Sequence, residues 1–238
     1  MKKDNRMETH SQVIRSEREE KKESQIIRLA LLAFRDELTH LYNRRYLRIR
    51  LPEILEEARR FSDQVSLLFI DVDDFKKIND CYFHSEGDRI LVEVARLLKR
   101  GTRSQDIVVR YGGDEFLVVL PKTSPSEAQR ISSRWIEESA SIKVGDSLRN
   151  SITLSIGIAT FPTQVQTLEA LIYEADEALY HTKRNGKNGL SLSREQYTEF
   201  LFYEVSSPVS QGKESKESKN SGFFSRYYER LFLLKPVK

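Results

Sequence analysis

Two acids, Asp71 and Asp114, occupy sequence positions from which they can share one cation. Asp71 closes the apolar run Val65-Ser66-Leu67-Leu68-Phe69-Ile70, a pattern that predicts a buried central strand ending in a carboxylate. Asp114 follows Gly112-Gly113, between the short apolar runs Ile107–Val109 and Phe116–Leu120. That spacing predicts a β-hairpin with Asp114 and Glu115 at its turn. Hard oxygen ligands of this kind suit Mg²⁺ or Mn²⁺ bound together with substrate phosphates. The chemistry they support is in-line phosphoryl or nucleotidyl transfer. Gly112 and Gly113 allow a tight turn and a close approach of backbone to phosphate. Taken alone, the turn has a second reading, an ordinary hairpin with exposed acids.

More chemistry follows the first strand. Lys76 can neutralise phosphate charge. Asn79 and Asp88 offer an amide and a carboxylate, a pair that matches the acceptor and donor edge of guanine. Each residue also has a plain structural role available: a solvated lysine, a polar residue at a helix end, an acid favoured in a first helical turn.

The elements that must position these groups are legible as periodicities. Segment 44–61 carries Leu47, Leu51, Ile54, Leu55 and Ala58 at helical spacing, with Pro52 near its start. Residues 86–100 and 125–140 predict two further helices, and 167–184 a fourth. Ile152 to Ala159 alternates as a strand, and 189–193 predicts a short one. The order strand, helix, hairpin, helix, strand, helix predicts an α+β fold, an α/β sandwich with helices covering a central mixed sheet.

The 238 residues suffice for one domain with extensions. A formal net charge of +3 gives no bulk argument for nucleic-acid binding. Cys81 is the single cysteine, so no internal disulfide forms, and no CxxC pair suggests zinc. The N-terminus lacks an apolar signal-peptide region and no run reaches transmembrane length, so a cytoplasmic protein is expected. Residues 1–35 predict a helix whose apolar stretch from Ile26 to Phe34 either pairs with a second copy or packs on its own domain. Residues 36–193 carry the globular pattern. Residues 194–221 read as an extension and a linker rich in Ser, Lys, Glu and Gly. In 222–238, the aromatic and basic stretch 222–235 reads as a peripheral membrane or protein contact, or as a tail that packs back.

Several spaced motifs resemble the GGDEF family of diguanylate cyclases. They run in order from about Asp36 to Leu192: DELTHLYNRRYL, DVDDFKKIND followed by HSEGD, an intact RYGGDEF, LSIGIA and ADEALYHTKRNGKN. The resemblance implies a fold similar to nucleotide cyclases and polymerase palms. It implies condensation of two GTP into cyclic di-GMP and two pyrophosphates, with Mg²⁺ or Mn²⁺, in a homodimer that brings two half-sites face to face. The helix before Asp36 is then the dimerising element.

The same resemblance assigns roles. Asp71 and Asp114 bind the metal through side chains and Val72 through its carbonyl. Asp114 also helps deprotonate the attacking ribose 3′-hydroxyl, and Glu115 supports the metal site. Asn79 and Asp88 read guanine with His84 nearby. Lys76 and Lys183 hold phosphates, with Lys187 where the family often has Arg. Arg103 and Asp106 of RSQD resemble the family's inhibitory product site, where Arg binds phosphate or stacks on guanine. Phe83 stands where the family usually has Gly. A domain that only binds GTP or cyclic di-GMP, and a different nucleotidyl transferase, are the alternatives. No GxxxxGK[ST] or GxGxxG loop is present.

Overall fold

A computed structural model describes residues 32–145 and 150–193, together with residues 18, 21, 22, 24, 25 and 29. The readings of 194–221 and of 222–238 concern residues outside those described. The described residues before Arg35 are all helical, and Leu29 and Leu32 are exposed.

Six strands form one mixed sheet: β1 Tyr42–Asn43, β2 Val65–Val72, β3 Ile107–Gly112, β4 Glu115–Pro121, β5 Leu154–Phe161 and β6 Gly189–Leu192. Their spatial order is β1-β3-β4-β2-β5-β6. The two edge pairs, β1 with β3 and β5 with β6, are parallel; the inner pairs are antiparallel. β2 is therefore central, and every one of its residues is buried, as its unbroken apolar run predicts.

Four helices cover the sheet: α1 Arg44–Phe61, α2 Phe75–Arg100, α3 Pro125–Ser139 and α4 Leu168–Arg184. Their starts are written in the chain. Asn43 caps α1 by accepting from the amides of Arg45 and Tyr46. Ser124 and Glu127 form a capping box on α3 with Pro125 at its first position, and Thr167 caps α4. Pro52 sits well inside α1 rather than near its start, where it costs the helix one backbone hydrogen bond.

The alternation of β2 sorts its side chains between two layers. Leu68, Ile70 and Val72 join Ile90, Val94 and Leu98 of α2 and Trp135 of α3 in one core. Asp71 belongs to the other alternation set, with Leu67 and Phe69, on the face that α4 covers. This parity is why Lys183 near the end of α4 can reach Asp71.

Two boundaries differ from the sequence reading. β5 covers 154–161 rather than 152–159: Ile152 is buried, but its amide bonds to the Ile142 carbonyl outside the sheet, while Thr160 and Phe161 continue the ladder to β2. α2 starts at Phe75, eleven residues before the predicted 86–100 helix, and is broken at Phe83 with φ 66 and ψ 163. That backbone region is essentially restricted to glycine and costs other residues about 1–3 kcal/mol. Phe83 is also 80% exposed. Phe83→Gly is expected to relieve the strain, offset in part by about 0.5–1 kcal/mol of extra unfolded-chain entropy. A net gain near 1 kcal/mol corresponds to a melting temperature about 2–4 °C higher. Thermal unfolding checks this; a lower melting temperature in Phe83→Gly contradicts the strain.

Candidate active site

The strand end and the hairpin turn meet. Asp71 lies opposite Glu115 on β4 and Ser155 on β5. The Val72 amide donates to the Asp114 carbonyl at 3.3 Å. The Asp71 carboxylate is almost fully buried, and Lys183 Nζ stands 2.7 Å from its Oδ2. Burial pushes the Asp71 carboxyl up to about 6, and the nearby charges of Asp114 and Glu115 add to that rise, while Lys183 opposes it. The charges of Asp114 and Glu115 thus act on the buried Asp71 carboxylate, which Lys183 partly offsets.

Acids gathered at a strand end suit a hard divalent cation. Among the described residues, no three His, Cys, Asp or Glu side chains enclose a metal by themselves. The donors that the resemblance names are few: the Asp71 and Asp114 carboxylates and the Val72 carbonyl. A small donor set completed by water and substrate phosphates is the usual arrangement for Mg²⁺.

The turn itself is braced from a distance that sequence reasoning missed. Arg110 donates from Nε and Nη2 to the Gly113 carbonyl at 3.1 and 3.0 Å. Its Nη1 bonds the Asp36 carboxylate at 3.1 Å. Asp36 accepts as well from the Thr39 amide and hydroxyl. Burial raises the Asp36 pKa, but the Thr39 and Arg110 bonds outweigh it and hold the group below its usual value, so it stays anionic. Gly113 has φ +53, a left-handed turn that glycine adopts without a steric penalty. The only sequence signal for this brace was that Asp36 and Arg110 both fall inside motifs, 74 residues apart.

The break at Phe83 folds the two halves of α2 toward each other. Asn79 lies on the first half and packs against Gly87 on the second, where a β-carbon would stand 2.0 Å from Asn79 Oδ1. Asp88 follows at the surface, so the two proposed guanine readers share one region. Lys76 and His84 are exposed nearby. Lys187 bonds Asp74 at 3.0 Å, not Asp71. Asp74 is held low by Lys77 and then by Lys187.

Arg103 and Asp106 stand at the far end of β3 from the GGDEF turn, about 20 Å away for a six-residue strand. The Asp106 Oδ2 accepts from the Arg103 amide at 2.7 Å, which closes a tight turn and leaves the Arg103 side chain exposed. Asp106 Oδ1 is buried without a hydrogen-bond partner, and burial raises the pKa of the group. Asp106 lines a cleft of about 410 Å³ with Tyr42, Tyr46, Arg50, Lys99 and Lys122.

A central strand and an adjoining hairpin that deliver acids to one end of a mixed, helix-covered sheet define a palm-like nucleotide-cyclase domain. The family model described as diguanylate cyclase, GGDEF domain, matches residues 33–189. The chain belongs to that family. It is 43% identical over 161 residues to the diguanylate cyclase DosC of Escherichia coli, covering 66% of this chain and 34% of that protein. The GGDEF domain of TpbB from Pseudomonas aeruginosa superposes with a TM-score of 0.65 at 38% identity, covering 71% of this chain and 99% of that one. The coiled coil and GGDEF domain of DgcB from Caulobacter crescentus, solved in complex with c-di-GMP, gives a TM-score of 0.70 at 26% identity, covering 77% of this chain and 98% of that one. The chain spans well under half the length of curated relatives such as DosC, and 24% of the bifunctional diguanylate cyclase/cyclic di-GMP phosphodiesterase MucR of Pseudomonas aeruginosa. No helix of the described residues is long and apolar enough to cross a membrane.

Proposed function

We propose that this chain condenses two GTP into cyclic di-GMP and two pyrophosphates, as a homodimer that uses Mg²⁺ or Mn²⁺. The observation that carries the reading is the meeting of Asp71, Asp114, Glu115 and Lys183 at one end of the sheet in a chain with RYGGDEF intact.

Each protomer holds one GTP. Asn79 and Asp88 hydrogen-bond the guanine edge, beside His84. Lys76, Lys183 and Lys187 hold phosphate oxygens, and the Gly112-Gly113 backbone lies close enough to admit them. Lys183, which neutralises Asp71 in the structure, offsets charge as it builds on the reacting phosphate. When bound by Asp71, Asp114 and the Val72 carbonyl, the divalent cation supplies charge stabilisation to the triphosphate and lowers the pKa of the attacking hydroxyl. Asp114 takes the proton of that ribose 3′-hydroxyl. Its oxygen then attacks the α-phosphorus of the GTP on the partner subunit and pyrophosphate leaves. The same step on the second GTP closes the ring. Glu115 adds negative charge beside Asp71 and supports the cation site.

One chain supplies half of this site, so the exposed Leu29 and Leu32 on the N-terminal helix are read as part of the face that pairs two copies. Product binding at Arg103 and Asp106 is read as the brake. The cleft beside Asp106 supports it, offering the stacked Tyr42 and Tyr46 rings, 3.7 Å apart, among cationic side chains.

Dimer dependence has a direct test. Specific activity of the full chain with GTP and Mg²⁺ should rise with chain concentration before it saturates. A specific activity that is constant down to concentrations where the chain sediments as a monomer contradicts the two-half-site reading.

A further inference from the structure

We propose that Asp73 is a positioning residue, which ties the loop carrying Lys187 to the strand carrying the metal donors. The role rests on the cyclase reading in naming Asp71 and Val72 as metal donors and phosphate as what Lys187 holds.

Asp73 is 5% exposed and follows the Asp71-Val72 donors directly. Its carboxylate accepts three hydrogen bonds. The Ser155 hydroxyl donates to Oδ1 at 2.7 Å, the Thr153 hydroxyl to Oδ2 at 2.7 Å and the Asn188 amide to Oδ2 at 3.0 Å. The Asp73 amide donates to the Thr153 carbonyl at 3.0 Å, which pins the residue's own backbone. Two of these anchors belong to the β5 region, which is rigid because it pairs with β2. The third belongs to the α4–β6 loop.

That loop needs an anchor. Gly186, Lys187 and Asn188 have φ of 108, 64 and 44, three consecutive positive values of which two fall on non-glycine residues. Residues other than glycine carry a steric cost in that region, so the conformation persists only where its surroundings impose it. One end is held by the Lys187 amide on the Thr182 carbonyl at 3.1 Å. The other is held by Asp73 through Asn188. Lys187 lies between these two points, and its ammonium reaches Asp74, next to Asp73. The Asp73 carboxylate accepts its hydrogen bonds from Ser155, Thr153 and Asn188, and its charge acts on Lys187 after that of Asp74. What it fixes is the relative placement of the metal donors and Lys187, and a misplacement of about 1 Å can cost about 10²-fold.

The test compares Asp73→Ala, Asp73→Asn and Lys187→Ala in the full chain. Asp73→Ala should raise the KM for GTP about 10–100-fold, with kcat changed less than about threefold. Asp73→Asn keeps two of the three hydrogen bonds and should raise KM by less, about 3–10-fold; it carries the test if Asp73→Ala fails to fold. In a double-mutant cycle, adding Lys187→Ala to either Asp73 variant should produce little further loss, because both act through one loop. A KM within twofold of wild type in Asp73→Asn and Asp73→Ala, or effects that multiply fully with Lys187→Ala, overturns the proposal. Calorimetric binding of a non-hydrolysable GTP analogue reads the same cycle without turnover. A wild-type chain that makes no cyclic di-GMP but shows this cycle in binding refutes the cyclase reading and leaves the role of Asp73 standing.

Discussion

Asp114→Asn should lower cyclic di-GMP formation by about 10³-fold or more and leave the fold intact. Removing a positioned general base alone costs about 10²–10⁴-fold, and this substitution also weakens a metal donor. Asp114 is half-buried at the hairpin turn and lies outside the core, so thermal stability should stay within about 2 °C of wild type. Because the Asp114 charge is one of the causes that raise Asp71, its loss should move the Asp71 pKa down from about 6. Chromatographic quantitation of product, with thermal unfolding alongside, checks both halves. Activity within tenfold of wild type removes Asp114 from the chemistry.

Phe116→Ala should give the opposite signature, a large loss of stability. Phe116 is the last letter of the same motif, but its ring is fully buried in the core that α2 and α3 share with the sheet. It lies opposite Ile70 on β2 and Arg110 on β3, directly behind the acidic turn. Truncating a buried phenylalanine costs about 3–5 kcal/mol, the lost transfer energy plus the cavity left behind. For a chain of this size that corresponds to a fall of roughly 6–20 °C in melting temperature. Phe116→Leu should recover much of it, since the cavity is smaller. A melting temperature unchanged in Phe116→Ala contradicts the packing described. The pair separates the motif into a chemical part, Asp114 and Glu115, and a structural part, Phe116.

The elements with strong periodicity or caps were readable before any coordinates. α1 has an apolar stripe from Leu47 to Ala58 and β2 has an unbroken apolar run, so local signals and tertiary packing agree. β1 was missed because two residues carry no period. The first half of α2 was missed because Phe75–Tyr82 was read for its motif residues and assigned no element, and the break at Phe83 falls on a residue type that rarely takes that backbone conformation. The residue types of the candidate site were legible. Its wiring was not: the Lys183–Asp71 pair follows from the parity of β2 and the position of α4, and the Arg110–Asp36 brace joins residues far apart in the chain. Spacing along a sequence holds no record of either.

The most direct test of the central claim is product stoichiometry. The full chain, incubated with GTP and Mg²⁺ at a concentration that favours the dimer, should consume two GTP and release two pyrophosphates for each cyclic di-GMP formed. GTP left intact, or pyrophosphate released with no cyclic di-GMP, would contradict it.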